Sequence, residues 1–258
     1  MSLSPSQATS IEETIKNCLR DKFKNYKPET SYMPFHFRLL GKDRMALYSF
    51  IHSLNTSFGT SIFEPVAVAL AKQKFKDAKR KVLVGDKISE EAHRIIQNIM
   101  NDLTTAQKEP DKESEIQSIR EVCRTGNMNK VRPSQADLYV EDHNGTIFLF
   151  DLKTAKPNIG NFKDFKRTLL EWVAATLADN PQKRVKTAIA IPYNPYEPQP
   201  YERWTLRGMI DLSEELFVAN EFWDFLGGEN SYEELLSCFE RAGIELRPEI
   251  EAYFSKFK

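Results

Sequence analysis

Cysteine is scarce in this chain, and its three copies, Cys18, Cys123 and Cys238, lie far apart. An odd number of widely spaced thiols cannot build a complete disulfide framework, so reduced thiols are expected. His36, His52, His93 and His143 have no partner at zinc-ligand spacing, which argues against a structural zinc module. The 10 glycines never gather into a phosphate-cradling loop, and neither GxGxxG nor GxSxG occurs. No apolar run approaches the roughly 18–20 residues that a membrane-spanning helix needs. The opening MSLSPSQATSIEET lacks a charged segment followed by an apolar one, so no secretory signal and a cytoplasmic location are expected.

What is present is a well-mixed 258-residue chain with 41% hydrophobic residues, ample for a packed core. Its length suits one domain with a helical insertion or addition. The net charge of −1 hides an asymmetry: residues 211–258 hold 12 acidic and 4 basic side chains, which leaves +7 on residues 1–210. The basic residues gather in KQKFKDAKRK (72–81) and between Lys153 and Lys186. The first cluster reads as the solvated face of a helix.

Residues 8–25 and 43–55 have helical periodicity, and a third helix is expected to start near Ser61 and run through PVAVALAKQKFKDAKRK. Residues 88–104 give a fourth. The polar stretch 105–135 reads as a loop or short helix and is the expected mobile segment. The period then changes to two: ADLYVED, HNG and TIFLFDLK form a strand, a turn and a strand. NFKDFKRTLLEWVAATLAD is an amphipathic helix and VKTAIAIPY (185–193) a buried strand. SEELFVANEFWDFLGG and SYEELLSCFERAG read as helices, the second with a capping box at Ser231 and Glu234 and a stop at Gly243. Trp172, Trp204 and Trp223 are expected in the core. The order of elements implies an α/β core flanked by helices.

An acid and a lysine two apart occur at Asp77–Ala78–Lys79, Asp151–Leu152–Lys153 and Asp164–Phe165–Lys166, about as often as composition alone would supply. Two of these lie in stretches read as helical, where such a pair does not share a face. Asp151 and Lys153 instead end the apolar strand TIFLF, where i and i+2 do share one. The turn decides what faces them. A two-residue turn at Asn144–Gly145 would put Asp137 on the wrong side. A three-residue His143–Asn144–Gly145 loop pairs 142 with 146 and sets Asp137 opposite Asp151. That register also collects Leu138, Val140, Phe148, Phe150 and Leu152 on the other face. Two carboxylates about 5 Å apart at Cα repel unless a cation joins them. Oxygen-only ligands suit Mg²⁺, and Lys153 beside them could orient a water or steady negative charge on phosphorus.

Ala136–Asp137 … Asp151–Leu152–Lys153 resembles the PD-(D/E)xK nuclease core, with alanine where that pattern often has proline and Asp for the second acid. The resemblance implies a restriction-endonuclease-like mixed β-sheet core flanked by helices, with helical N- and C-terminal additions. It makes residues 1–258 a single nuclease domain, with 1–105 a helical N-terminal part, 134–193 the catalytic hairpin, helix and strand, and 211–258 the C-terminal helices. The family often adds an acid from a preceding helix, and Glu64 looks like that residue, although Ser61 and Glu64 also fit a capping box. Asp137, Asp151 and Glu64 are thereby implied metal ligands, and with Lys153 the catalytic set. NMNKVRPSQADLYV, FDLKTAKPN, YNPYEPQPYERWT and EFWDFLGG are similar to type II restriction endonucleases of the TdeIII kind. That likeness implies a homodimer, with no membrane role, that cuts double-stranded DNA at an interrupted palindrome, GGNCC.

Lys156, Asn158, Lys163 and Arg167 follow the Asp-x-Lys strand into the next helix and are candidate phosphate contacts. Arg132, Gln135, Asn194, Tyr196 and Arg203 come from loops near strand ends and are candidate DNA contacts, their types including those that pair bidentately with guanine and adenine. Each could equally be an ordinary loop residue. Two other readings fit the same motif: a PD-(D/E)xK nuclease of DNA repair or junction resolution, and a catalytically silent DNA-binding module.

Overall fold

The structure, a computed structural model, describes residues 3–29, 33–153, 162–201 and 208–257. Its centre is a five-stranded mixed sheet in the order β1-β4-β5-β6-β7, with β1 at Asp77–Val84, β4 at Ser134–Glu141, β5 at Thr146–Leu152, β6 at Arg184–Ile191 and β7 at Leu216–Val218. The β1–β4 and β4–β5 pairs are antiparallel, and β5–β6 and β6–β7 are parallel. A small two-stranded sheet joins β2 (Lys87–Ser89) to β3 (Met128–Lys130). The N-terminal helices are α1 (Pro5–Asn25), α2 (Pro34–Leu40), α3 (Lys42–Phe58) and α4 (Glu64–Lys74). α5 (Glu90–Thr104) and α6 (Lys112–Val122) follow β2, α7 (Phe162–Asp179) links β5 to β6, and α8 (Asn220–Gly227), α9 (Ser231–Glu245) and α10 (Arg247–Phe254) come last. This is the mixed, helix-flanked α/β architecture expected. No helix among the described residues is long and apolar enough to cross a membrane.

Each face of the sheet is covered for a reason visible in the strands. Leu138, Val140 and Phe150 form one layer with partly buried Phe148 and Leu152, as the hairpin register requires. Phe148 and Phe150 pack edge-on against Phe225 of α8 at 5.0 and 5.8 Å between ring centroids. The opposite face receives α7: Thr187 of β6 donates to Leu169 O at 3.1 Å, and Trp172 Nε1 donates to Ser134 Oγ at 2.7 Å. Trp172 and Trp223 lie in the core as expected; Trp204 falls outside the described residues.

Several local expectations fail, each for a physical reason. The third helix ends at Lys74, and Asp77–Val84 is an edge strand. Its alternation of Ala78, Val82 and Val84 toward the core is masked in the sequence by lysine and arginine on the exposed positions. Asp77 and Lys79 therefore share a face and form a 2.5 Å ion pair, contrary to the helical reading. In the polar stretch 105–135 the short helix allowed for is α6, anchored by buried Ile119 and by charges described below; only the short strand β3 there is unexpected. Leu216–Val218 is strand β7 rather than helix, so α8 begins only at Asn220. Asn230 occupies the N-cap of α9, Ser231 makes no capping bond, and Gly243 lies inside the helix. The N-terminal part also contains β1 and β2, so it is not purely helical.

Candidate active site

Asp142 N–H donates to Thr146 O at 2.9 Å, and Gly145 N–H donates to Asp142 O at 3.1 Å, so the hairpin turns through His143, Asn144 and Gly145. Gly145 takes φ +78, the left-handed value that closes a three-residue loop and that glycine adopts without strain. Leu138 pairs with Phe150, Tyr139 with Leu149 and Val140 with Phe148. Continued one step, this register sets Asp137 opposite Asp151. There the ladder gives way, because Leu152 N–H donates to Asp137 Oδ2 at 2.8 Å.

The two carboxylates meet in a poorly solvated place. Asp151 is 9% exposed. Burial pushes its carboxyl up to about 6; the adjacent Asp137 adds to the shift and Lys153 opposes it. Lys153 Nζ lies 2.7 Å from Asp151 Oδ1 and 4.6 Å from the centre of the Phe165 ring. The lysine thus shares a face with the acid, as a strand's period of two dictates.

Glu64 arrives from the helical layer. Pro65 cannot donate to Ser61 O, and its ring crowds that carbonyl, so the helix widens into a π turn at Gly59–Phe63. Glu64 N–H bonds to Gly59 O, five residues back. Ser61 therefore lies within the π turn, and the capping-box alternative for Ser61 and Glu64 is excluded. Glu64 is 2% exposed, and its Oε2 has no hydrogen-bond partner. Burial raises its carboxyl above the ordinary range and Asp137 raises it further, while Lys81 and Arg80 partly offset this. Arg80 Nη1 stands 4.0 Å from Glu64 Oε2. Glu64, Asp137, Leu152 and Lys153 line one cleft of about 580 Å³, with His52, Asn55, Thr56 and Thr60 on its helical wall and Tyr193 beyond β6. Among the described residues, no three His, Cys, Asp or Glu side chains converge as a ready-made metal cluster. Of the three acids, Asp137 and Glu64 line this cleft, while Asp151 lies behind it against Asp137 and Lys153.

The candidate DNA contacts scatter. Arg132 and Gln135 are exposed just ahead of Asp137, and Lys163 is exposed in the first turn of α7. Arg167 bonds instead to Gln97 Oε1 of α5 at 2.8 Å. Asn194 ties its own loop, donating to Gln199 O at 2.7 Å and accepting from Tyr196 N–H at 3.0 Å. Tyr196 packs on Tyr201 at 5.8 Å. Lys156, Asn158 and Arg203 lie outside the described residues. Sequence reasoning missed Arg80 and Lys81, because their stretch reads as helix; the valines at 82 and 84 ending in Gly85 were the available sign of a strand.

A family model described as type II restriction endonuclease, HinfI, matches residues 3–243. The type II restriction enzyme MjaII of Methanocaldococcus jannaschii is 32% identical over 85% of this chain and 65% of its own length. The type II restriction enzymes HgiEI and HgiBI of Herpetosiphon aurantiacus are 24% and 26% identical, over 97% and 84% of this chain and 98% and 79% of their own lengths.

Proposed function

The chain belongs to the HinfI family of type II restriction endonucleases, site-specific deoxyribonucleases of the class that the sequence resembles, and from that premise we propose that it cuts double-stranded DNA at a short palindrome in a Mg²⁺-dependent reaction centred on Asp137, Asp151 and Lys153. GGNCC is the target implied by the TdeIII-like segments. The observation that carries the reading is the meeting of Asp137 and Asp151 across the hairpin with Lys153 on the same face.

The donors suit a hard divalent cation. They are carboxylate oxygens only, one buried oxygen of Glu64 lacks a partner, and burial holds Asp151 against ionisation even with Lys153 at 2.7 Å. Asp137, Asp151 and Glu64 would hold the ion, which when bound polarises the scissile phosphate and acidifies an attacking water. Asp137, held by Leu152 N–H, lines the cleft. Lys153 is not a ligand: its ammonium orients the nucleophile or steadies the charge that builds on phosphorus. Two strands of a palindrome present two symmetric phosphates, so a homodimer brings one site to each.

The test is incubation of varied duplex DNA with Mg²⁺ followed by end-mapping, where one fixed cut sequence is the expected outcome. Cleavage only of branched or damaged DNA would favour the repair reading, and binding without cleavage the silent module. Lys153→Ala should lower single-turnover cleavage by at least about 10²–10³ while Ca²⁺-supported DNA binding persists. Asp151→Ala should lose metal-dependent binding as well. Near-normal cleavage by Lys153→Ala would remove this lysine from the chemistry.

A further inference from the structure

Lys81 is in a backbone conformation that a lysine in a strand has no local reason to adopt. Its φ is +57, and of the non-glycine residues with positive φ among those described it alone lies within a strand. For a residue with a Cβ, that region is sterically unfavourable, and such outliers persist where surrounding structure enforces them, often at functional sites. The position is specific. β1 pairs with β4 in one unbroken register, Arg80 with Leu138 and Val82 with Ala136, and the residue between them, left out of the ladder, stands opposite Asp137.

Lys81 is near enough to Glu64 to hold its carboxyl down, as Arg80 does. Arg80 reaches the cleft wall, donating to Thr60 O at 3.3 Å and lying 4.0 Å from Glu64. The other lysines of this edge are neutralised locally: Lys76 pairs with Glu141 and Lys79 with Asp77, each at 2.5 Å. Lys81 is exposed and, among the described residues, makes no ion pair within 4.0 Å. A strained cation left without a close acid partner, set across from Asp137, which itself lines the cleft, is placed for an anion that comes from outside.

We propose that Lys81 grips a DNA backbone phosphate adjacent to the scissile one, with Arg80 beside it, so that β1 supplies the cationic lip of the cleft. This rests on the nuclease reading for the identity of the anion. The left-handed backbone leaves Lys81 exposed and opposite Asp137 before DNA arrives. The phosphate so held fixes the duplex along the cleft and reads no base.

The experiment uses Lys81→Gly, because glycine adopts the left-handed backbone without strain and so removes the charge while keeping the chain path. Binding of a duplex is measured in Ca²⁺ across a series of salt concentrations, alongside thermal melting. The expected result is an unchanged or higher melting temperature and a slope of log K against log salt that is shallower by about 0.9, the loss of one phosphate contact. Lys81→Arg should restore the slope. A slope unchanged in Lys81→Gly, or not restored by Lys81→Arg, overturns the proposal and leaves Lys81 as a neighbour that only balances Glu64. The slope needs no cleavage, so it judges Lys81 even if wild-type protein cuts no duplex, an outcome that would instead sink the nuclease reading.

Discussion

Asp151 sits between Phe150, 1% exposed, and Leu152, on a strand whose interior is otherwise apolar. A carboxylate there is expensive when ionised, and its shift to about 6 expresses that cost. The sign follows from proton uptake. The folded carboxyl binds its proton below about pH 6, whereas in the unfolded chain it does so near the ordinary value of 3.8. Between those values the folded state holds more protons, so stability falls as pH rises through the window. Two pH units at about 1.4 kcal/mol each set a ceiling of about 3 kcal/mol. Asp151→Asn cannot ionise, so in EDTA its stability should gain on wild type as pH rises from 4 to 7, with most of the gain complete a little above pH 6. Added Mg²⁺ should recover the loss in wild type and leave Asp151→Asn unmoved. Denaturant melts of the two proteins across this pH range check it; parallel stability curves would mean that Asp151 carries no such cost.

At the level of elements, the catalytic strand is held from below by charge as well as by apolar packing. Lys166 of α7 is fully buried and donates at 2.6 Å to both Glu115 of α6 and Glu215, the residue before β7. Lys112 gives Glu215 a second ammonium at 2.6 Å. Burial pushes the Glu215 carboxyl up, but the two lysines more than reverse this and hold it below its usual range. Glu215 O in turn receives Ile189 N–H, and Ile189 lies beside Asp151 in the sheet. Lys166→Met leaves Glu115 and Glu215 buried with one lysine between them, which should cost about 3–5 kcal/mol. A thermal melt is the check, and a loss below about 1 kcal/mol would show that the network relaxes freely. None of this was legible in the sequence, where Asp164–Phe165–Lys166 looks like a chance motif on a solvated helix. The hairpin was legible, because its apolar period of two and Gly145 together admit one register that pairs the acids. β1 and β7 were not: the first hides its alternation under lysines, and the second is three residues long. Glu64 could be named but not placed, since the π turn that delivers it arises from helix geometry around Pro65.

On the scale of the whole molecule, the acidic C-terminal helices turn inward. α9 and α10 meet α1 through Lys16–Glu245 at 2.8 Å, Arg20–Glu249 at 2.9 Å and Arg241–Glu12 at 2.6 Å. Part of their charge is thus answered within the chain, and they offer little to a second copy. The apolar exposure lies elsewhere. Phe35 and Leu39 of α2 are 85% and 82% exposed, and Leu47, Tyr48 and Ile51 of α3 form an exposed row beside them. The opposite side of α3 is anchored by Met45, Ala46 and Phe50, so this row is a true outer face. Farther along the same helix, His52, Asn55 and Thr56 line the cleft. A two-fold contact must be self-complementary, which an apolar face satisfies against its own copy and a face of one charge does not. The homodimer proposed above would find such a face on α2 and α3, and pairing there would fix the distance between two clefts through one rigid helix. Burying Phe35 and Leu39 contributes about 1.5–3 kcal/mol each, so replacing both with glutamate should weaken the dimer by at least about a hundredfold. Sedimentation at micromolar concentration should then show wild type as a dimer and Phe35→Glu/Leu39→Glu as a monomer. The monomer keeps its cleft, so it should nick one strand of a specific duplex slowly while losing concerted double-strand cleavage. A wild type that sediments as a monomer with and without DNA would refute the dimer itself. A dimer that survives both glutamates would place its interface on another face.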